Sequence, residues 1–202
     1  MKKLNIETVK DFLEFNVGIL FQREEISFLG LTSKIENPIR DNLAFSLHNE
    51  FKEKYIVTSE WKKCDIAILD KITHEPLMLL ELKNCYSCDL IKNSTLKEYV
   101  LEIKKDLQKS EVLSTNKTEY YSILLITKPR NKIPIQYLNI VKYSKAINAG
   151  FNKLRNWGNI EKLREDNFRN LFNIIHEGNI KKDKSFDVQC AFDYFIVKNS
   201  LI

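Results

Sequence analysis

Two periodicities alternate along this chain, and the switches between them mark its elements. Over Ile6 to Phe15, Val9, Phe12 and Leu13 recur at helical spacing. Gly18 to Leu31 fits either a strand pair or a helix broken at Gly30. The next stretch, ENPIRDNLAFSLHNEF, places Ile39, Leu43, Leu47 and Phe51 on one helical stripe, with Asn37 as a cap and Pro38 in the first turn. Lys54 to Glu60 alternates and predicts a strand. Cys64 to Asp70 and Leu77 to Lys83 are short apolar runs with Lys71 to Pro76 between them, a strand pair joined by a polar turn. Helical spacing returns over Thr95 to Leu113 through Leu96, Tyr99, Val100, Ile103 and Leu107, with Lys and Glu on the other face. Tyr120 to Thr127 predicts a buried strand closed by Pro129. Beyond it, Ile135 to Leu154 and Ile160 to Ile175 read as helices broken at NWGN, and Phe186 to Val197 as a final strand.

Three charged residues interrupt the two central apolar runs: Asp65, Glu81 and Lys83. Side chains alternate faces along a strand, so Glu81 and Lys83 share a face that Leu82 does not. If the turn closes with Asp70 near Pro76, the antiparallel register sets Asp65 opposite Glu81, with Cβ atoms about 5 Å apart. Two carboxylates at that separation repel unless a cation lies between them. A hard divalent ion such as Mg²⁺ suits such a pair. Lys83 on the same face could orient a water or stabilise charge developing on a phosphate.

Asp65 followed by Glu81-x-Lys83 on a hairpin, in CDIAILD and LLELK, resembles the PD-(D/E)xK nuclease superfamily, with Cys64 standing where the family has Pro. The resemblance covers about residues 36–127. It implies an α/β, restriction-endonuclease-like αβββαβ core with a mixed central sheet flanked by helices. The chain is then a single nuclease domain over 1–202, with a mostly helical elaboration over about 128–202. It also implies a Mg²⁺-dependent nuclease, with Mn²⁺ able to substitute, acting most naturally as a DNA endonuclease in restriction or phage defence. An RNA endonuclease of the same fold and a non-catalytic nucleic-acid-binding module are the alternatives. Asp65, Glu81 and the carbonyl of Leu82 would hold the metal, and Lys83 would serve the attacking water. Glu36, at the start of a helix with Arg40 one turn on, is the fourth candidate, and Glu50 is its rival. His48 matches a helical metal ligand of some viral relatives or, alternatively, a partly buried structural histidine. Glu60 could reach the edge of the site.

Composition narrows the setting. The chain has 202 residues, 44% hydrophobic, enough for one substantial core. No apolar run approaches the roughly 20 residues of a membrane span, and the start MKKLNIETVKDFLEF reads as an amphipathic helix of a cytoplasmic protein. Net charge is +5 but uneven: residues 1–112 hold 17 Lys/Arg against 19 Asp/Glu, a net of −2, and residues 113–202 hold 15 against 8, a net of +7. A basic half suits a phosphate backbone, and Lys128, Arg130 and Lys132 in the KPRNK turn are the candidate contacts. Cys85 and Cys88 form a CxxC with no second pair, which leaves zinc, redox and free-thiol readings. Five glycines and no GxxxxGK exclude a phosphate-binding loop. A homodimer is expected if both strands of a duplex are cut, because one site cuts one strand.

Overall fold

The computed structural model describes residues 4–17, 21, 24–91, 93–153, 169 and 171–198. Its elements in chain order are helix α1 (Ile6–Asp11), which runs on as a π-helical turn over Phe12–Val17, then α2 (Glu25–Thr32) and α3 (Glu36–Phe51). Strands β1 (Tyr55–Trp61), β2 (Cys64–Asp70) and β3 (Pro76–Tyr86) follow, then a 3₁₀ turn at Asp89–Ile91, α4 (Asn93–Leu113) and β4 (Glu119–Pro129). A 3₁₀ turn at Ile135–Tyr137, α5 (Ser144–Lys153), β5 (Ile174–Ser185) and β6 (Val188–Lys198) complete it. The six strands form one sheet in the order β1-β2-β3-β4-β6-β5. Among the described residues only β3 and β4 run parallel, joined across the sheet by α4; every other neighbouring pair is antiparallel. The protein is therefore α/β with a mixed sheet, and the order α3-β1-β2-β3-α4-β4 follows the periodicity.

Strand alternation sorts the core into two layers. Met78, Leu80, Leu82 and Tyr86 of β3 join Ile66 and Ile68 of β2 and Tyr121, Ile123 and Leu125 of β4 in the main core, under α1, α2, α3 and α5. The opposite face is covered by α4, and there the apolar packing comes in two separate clusters. Toward one end, Ala67, Leu69, Leu79 and Tyr120 meet Leu107 and Leu113. Toward the other, Cys85, Leu124 and Ile126 meet Leu96, Tyr99 and Ile103. The gap between them is polar.

Several expectations are corrected. Helix α3 begins at Glu36 with Ile35 at the cap position, so Asn37 lies inside its first turn and does not cap it. Gly30 does not break a helix but sits within α2, where an added Cβ would come 2.7 Å from the Phe192 ring; close packing requires glycine there. Among the described residues the C-terminal part is not mostly helical. Ile174 and Ile175 open β5, and β5 with β6 extends the sheet beyond β4. Over Ile135 to Leu154 the described residues give a 3₁₀ turn and the short α5 in place of one long helix. NWGN, Leu163 and Phe168 lie outside the described residues.

Candidate functional site

The register of the central hairpin sets the site. Ile66 pairs with Leu80, so Asp65 and Glu81 are the next residues to face each other; a bulge near the turn, between Ile68 and Leu69, leaves this end unaffected. Asp70 holds the turn itself, accepting the Ile72 and Thr73 N–H groups at 2.8 Å each.

β2 begins at Cys64 while β3 runs on to Tyr86, so the β2-side edge of β3 is open past this point. Carboxylates take the N–H groups exposed there. The Leu82 N–H donates to Asp65 Oδ2 at 2.7 Å, and the Asn84 N–H donates to Glu36 Oε2 at 3.1 Å. A residue's N–H and C=O leave a strand on the same side, so the Leu82 carbonyl faces the same edge as Asp65. Cys64 turns its thiol toward the Ile66 and Leu80 carbonyls at 3.4 and 3.5 Å. Burial, the largest influence, together with Glu81 and Asp65 pushes that thiol well above its ordinary range, so it stays a neutral packing group.

Glu81 and Lys83 point into the polar gap beneath α4. Glu81 is 5% exposed. Burial, followed by the facing Asp65 carboxylate and a hydrogen bond to it, raises Glu81 well above the ordinary carboxylate value. Lys83 Nζ lies 2.7 Å from Asp106 Oδ2, and Lys109 Nζ lies 2.6 Å from Asp106 Oδ1. Asp106 is 4% exposed, and although burial pushes it up, the two lysines outweigh that and hold it below the ordinary carboxylate value. Burial likewise pushes Lys83 down, and Asp106, Glu81 and Glu36 more than reverse it. Asp65 also meets Arg40, whose Nη1 is 3.8 Å from Asp65 Oδ1 and pairs with Glu60. Arg40 Nε bonds Asp41 at 2.8 Å.

Asp65, Glu81, Lys83 and Leu82 therefore come together as the sequence suggests, and Glu36 joins them at the open edge. Burial raises Glu36, with Lys83 opposing and Asp65 adding to the shift. Among the described residues no group of three or more His, Cys, Asp and Glu side chains is placed to hold a metal ion. What is present is an oxygen-only set of two opposed carboxylates and a strand carbonyl. It fits a hard ion that keeps several waters, and does not fit zinc. His48 and Glu50 are exposed at the far end of α3; twelve residues of helix put His48 about 18 Å along the axis from Glu36. The expected partial burial of His48 is thus corrected, and its role as a ligand of this pair loses its basis. Cys85 is buried, Cys88 is half-buried, and neither forms a disulfide.

The basic turn is also revised. Lys128 belongs to β4, is 4% exposed and pairs with Asp193, so it offers no charge to a ligand. Arg130 and Lys132 are exposed, with Lys132 Nζ 2.5 Å from Asn152 Oδ1. Ser122 pairs with Glu81, which places Lys128 six residues, or about 20 Å, further along the strand.

Asp106 and Lys109 are the site residues that the hydrophobic pattern did not single out. The signal was present: Tyr99, Ile103, Asp106 and Ser110 are spaced four, three and four apart, so an acid stands on the inward stripe of α4. Comparison of the chain with family models, curated proteins and solved structures finds no match.

Proposed function

We propose that this protein is a Mg²⁺-dependent nuclease of the PD-(D/E)xK type that hydrolyses phosphodiester bonds, with DNA as its substrate. The observation that carries the reading is the Asp65–Glu81 pair, opposed across a hairpin and set in a polar break in an otherwise apolar layer, with Lys83 on the same face. A fold that needed only stability would fill this position with apolar residues, because a buried acid facing another acid costs free energy. Asp65, Glu81 and the Leu82 carbonyl would hold a Mg²⁺ ion, which when bound supplies Lewis-acid activation of a phosphoryl oxygen and a water. Lys83 brings a positive charge to the same face, suited to stabilising the charge that grows on the phosphate as water attacks and the P–O bond breaks. Glu36 anchors the Asn84 end of the open β3 edge and so fixes the path of the strand that carries Lys83. The αβββαβ order adds support, and placement in restriction or phage defence rests on analogy with that family.

One observation favours a second reading. Arg40 beside Asp65 already offsets charge on the acid pair without a metal, as a non-catalytic nucleic-acid-binding module would require. A single assay separates the two. Purified protein is incubated with supercoiled plasmid, single-stranded DNA and RNA in Mg²⁺, Mn²⁺ or EDTA. Cleavage in either metal and none in EDTA supports the nuclease, and which substrate is cut decides between DNA and RNA. Binding without cleavage under all conditions supports the module.

A further inference from the structure

Asp106 has more cation than it needs. One buried carboxylate requires one positive partner to offset its desolvation. Asp106 has two, one on each oxygen: Lys83 from β3 at 2.7 Å and Lys109 from its own helix at 2.6 Å. The two lysines differ in surroundings. Lys83 points into the polar gap with its side chain 23% exposed, among Asp106, Glu81 and Glu36, whereas Lys109 is 57% exposed, one turn further along α4. An exposed lysine three residues from an acid adds little stability as a surface pair. Its position on the second oxygen of a buried acid gives it another use.

We propose that Asp106 is a positioning residue for Lys83, and that Lys109 keeps Asp106 paired while Lys83 turns to the scissile phosphate. This rests on the nuclease reading above and adds to it a third element, α4, and a hand-off. In the resting protein Asp106 fixes the Lys83 ammonium over the polar gap. When a phosphate enters, Lys83 exchanges one anionic partner for another. The exchange would be opposed if it stranded Asp106 in an apolar layer, since an uncompensated buried charge is costly. Lys109 already occupies Oδ1, so the departure of Lys83 leaves a paired carboxylate. No bond is made or broken in this step; only the partner of Lys83 changes.

The test uses the full chain, Mg²⁺ and the three substrates named above, with Asp106→Asn, Asp106→Glu, Lys109→Gln and the double variant Asp106→Asn/Lys109→Gln, each checked for folding by urea denaturation. Asp106→Asn is expected to lower kcat by about 100-fold, the scale of a misplaced catalytic group, with KM within about twofold. Asp106→Glu is expected to recover part of that loss. Lys109→Gln is expected to lower kcat by about tenfold, because Lys83 must then leave a carboxylate with no second partner. The double variant is expected to be no slower than Asp106→Asn alone, since without the carboxylate nothing can be stranded. A wild type that cuts none of the substrates overturns the nuclease reading and this role with it. Cleavage by wild type with an unchanged kcat in Asp106→Asn overturns the positioning role alone. Effects of the two single changes that multiply in the double variant overturn the hand-off. If Asp106→Asn does not fold, wild-type kcat in Lys109→Gln overturns it as well.

Discussion

Glu81 and Asp106 are carboxylates buried to nearly the same degree on the same face of one sheet, yet their surroundings drive them in opposite directions. Glu81 comes from a strand and meets another acid, so burial and Asp65 raise it. Asp106 comes from a helix and meets two lysines, so it stays ionised. Burial is common to both and pushes both upward; the partner decides the outcome. Each oxygen of Asp106 has a lysine within ion-pair distance, whereas Glu81 faces a second acid across the hairpin. A region complete in itself reads as support, and an incomplete one as the place where a ligand's charge is used.

The largest expected effect breaks the incomplete half. Asp65→Ala and Glu81→Ala are each expected to lower Mg²⁺-dependent cleavage by about 1,000-fold or more, the upper range for losing an electrostatic stabiliser. Without metal, Asp65→Ala should cost stability, because the Leu82 N–H loses its acceptor and Arg40 a partner, whereas Glu81→Ala should leave it nearly level. Plasmid cleavage and urea denaturation of the same preparations check both statements; wild-type rates in either variant would remove the acid pair from the site. Next comes the lysine that links the two regions. Lys83→Ala is expected to cut about 100-fold more slowly with substrate binding nearly intact. Lys83→Arg keeps the charge, so activity there would assign Lys83 to charge stabilisation over proton transfer.

Stability sharpens the contrast with smaller numbers. Glu81 binds a proton in the folded chain up to about 9, against an ordinary 4.5. Between those values the unfolded chain has lost a proton that the folded chain keeps, so stability falls as pH rises, by up to about 1.4 kcal/mol per unit for one group. Glu81→Gln should flatten that slope in urea titrations between pH 5 and 9. Asp106 has the opposite sign. Its folded value lies below the ordinary 3.8, so its contribution is full above 3.8 and is lost only as pH falls through the lower folded value. Asp106→Ala should therefore cost about 1–3 kcal/mol at neutral pH and leave the slope between pH 5 and 9 unchanged. An unaltered slope in Glu81→Gln would mean that Glu81 is ionised beside Asp65.

The sequence carried the incomplete region better than the complete one, for physical reasons. β2 spans Cys64–Asp70 as the apolar run indicates, and the Asp65–Glu81 pairing follows from period-two alternation and one turn. Asp106 was hidden because a helix rich in Lys and Glu makes one more acid look like surface, although its spacing is that of the inward stripe. The β5–β6 hairpin was hidden for a different reason. Its two-residue turn is Phe186–Asp187, both at positive φ, without the Asn-Gly or Asp-Gly that usually announces such a turn. β5 is also an edge strand, with mostly charged or polar residues in NIKKDKS, so no apolar run marked it. In sequence KPRNK reads as a basic turn because Pro129 follows Lys128, but β4 continues through Pro129 and carries Lys128 inward in phase with Leu124 and Ile126.

That placement of Lys128 gives the smallest prediction, and it separates charge that is used within the fold from charge that is offered outward. Lys128 is committed to Asp193, whereas Arg130 and Lys132 are exposed to solvent. Arg130→Ala and Lys132→Ala together should weaken nucleic-acid binding for all sequences alike and reduce the slope of log K against log salt by about one for each phosphate no longer neutralised. Lys128→Ala should leave that slope where it was. Its cost should appear in folding, because Asp193 would lose its buried cation, at about 1–3 kcal/mol after allowing for the partial exposure of Asp193. Fluorescence-anisotropy titrations of a labelled oligonucleotide across a salt series, alongside urea denaturation, measure both quantities. A salt slope that falls in Lys128→Ala and holds in the Arg130/Lys132 variant would reverse the assignment. It would mean that β4 releases Lys128 from Asp193 when nucleic acid binds.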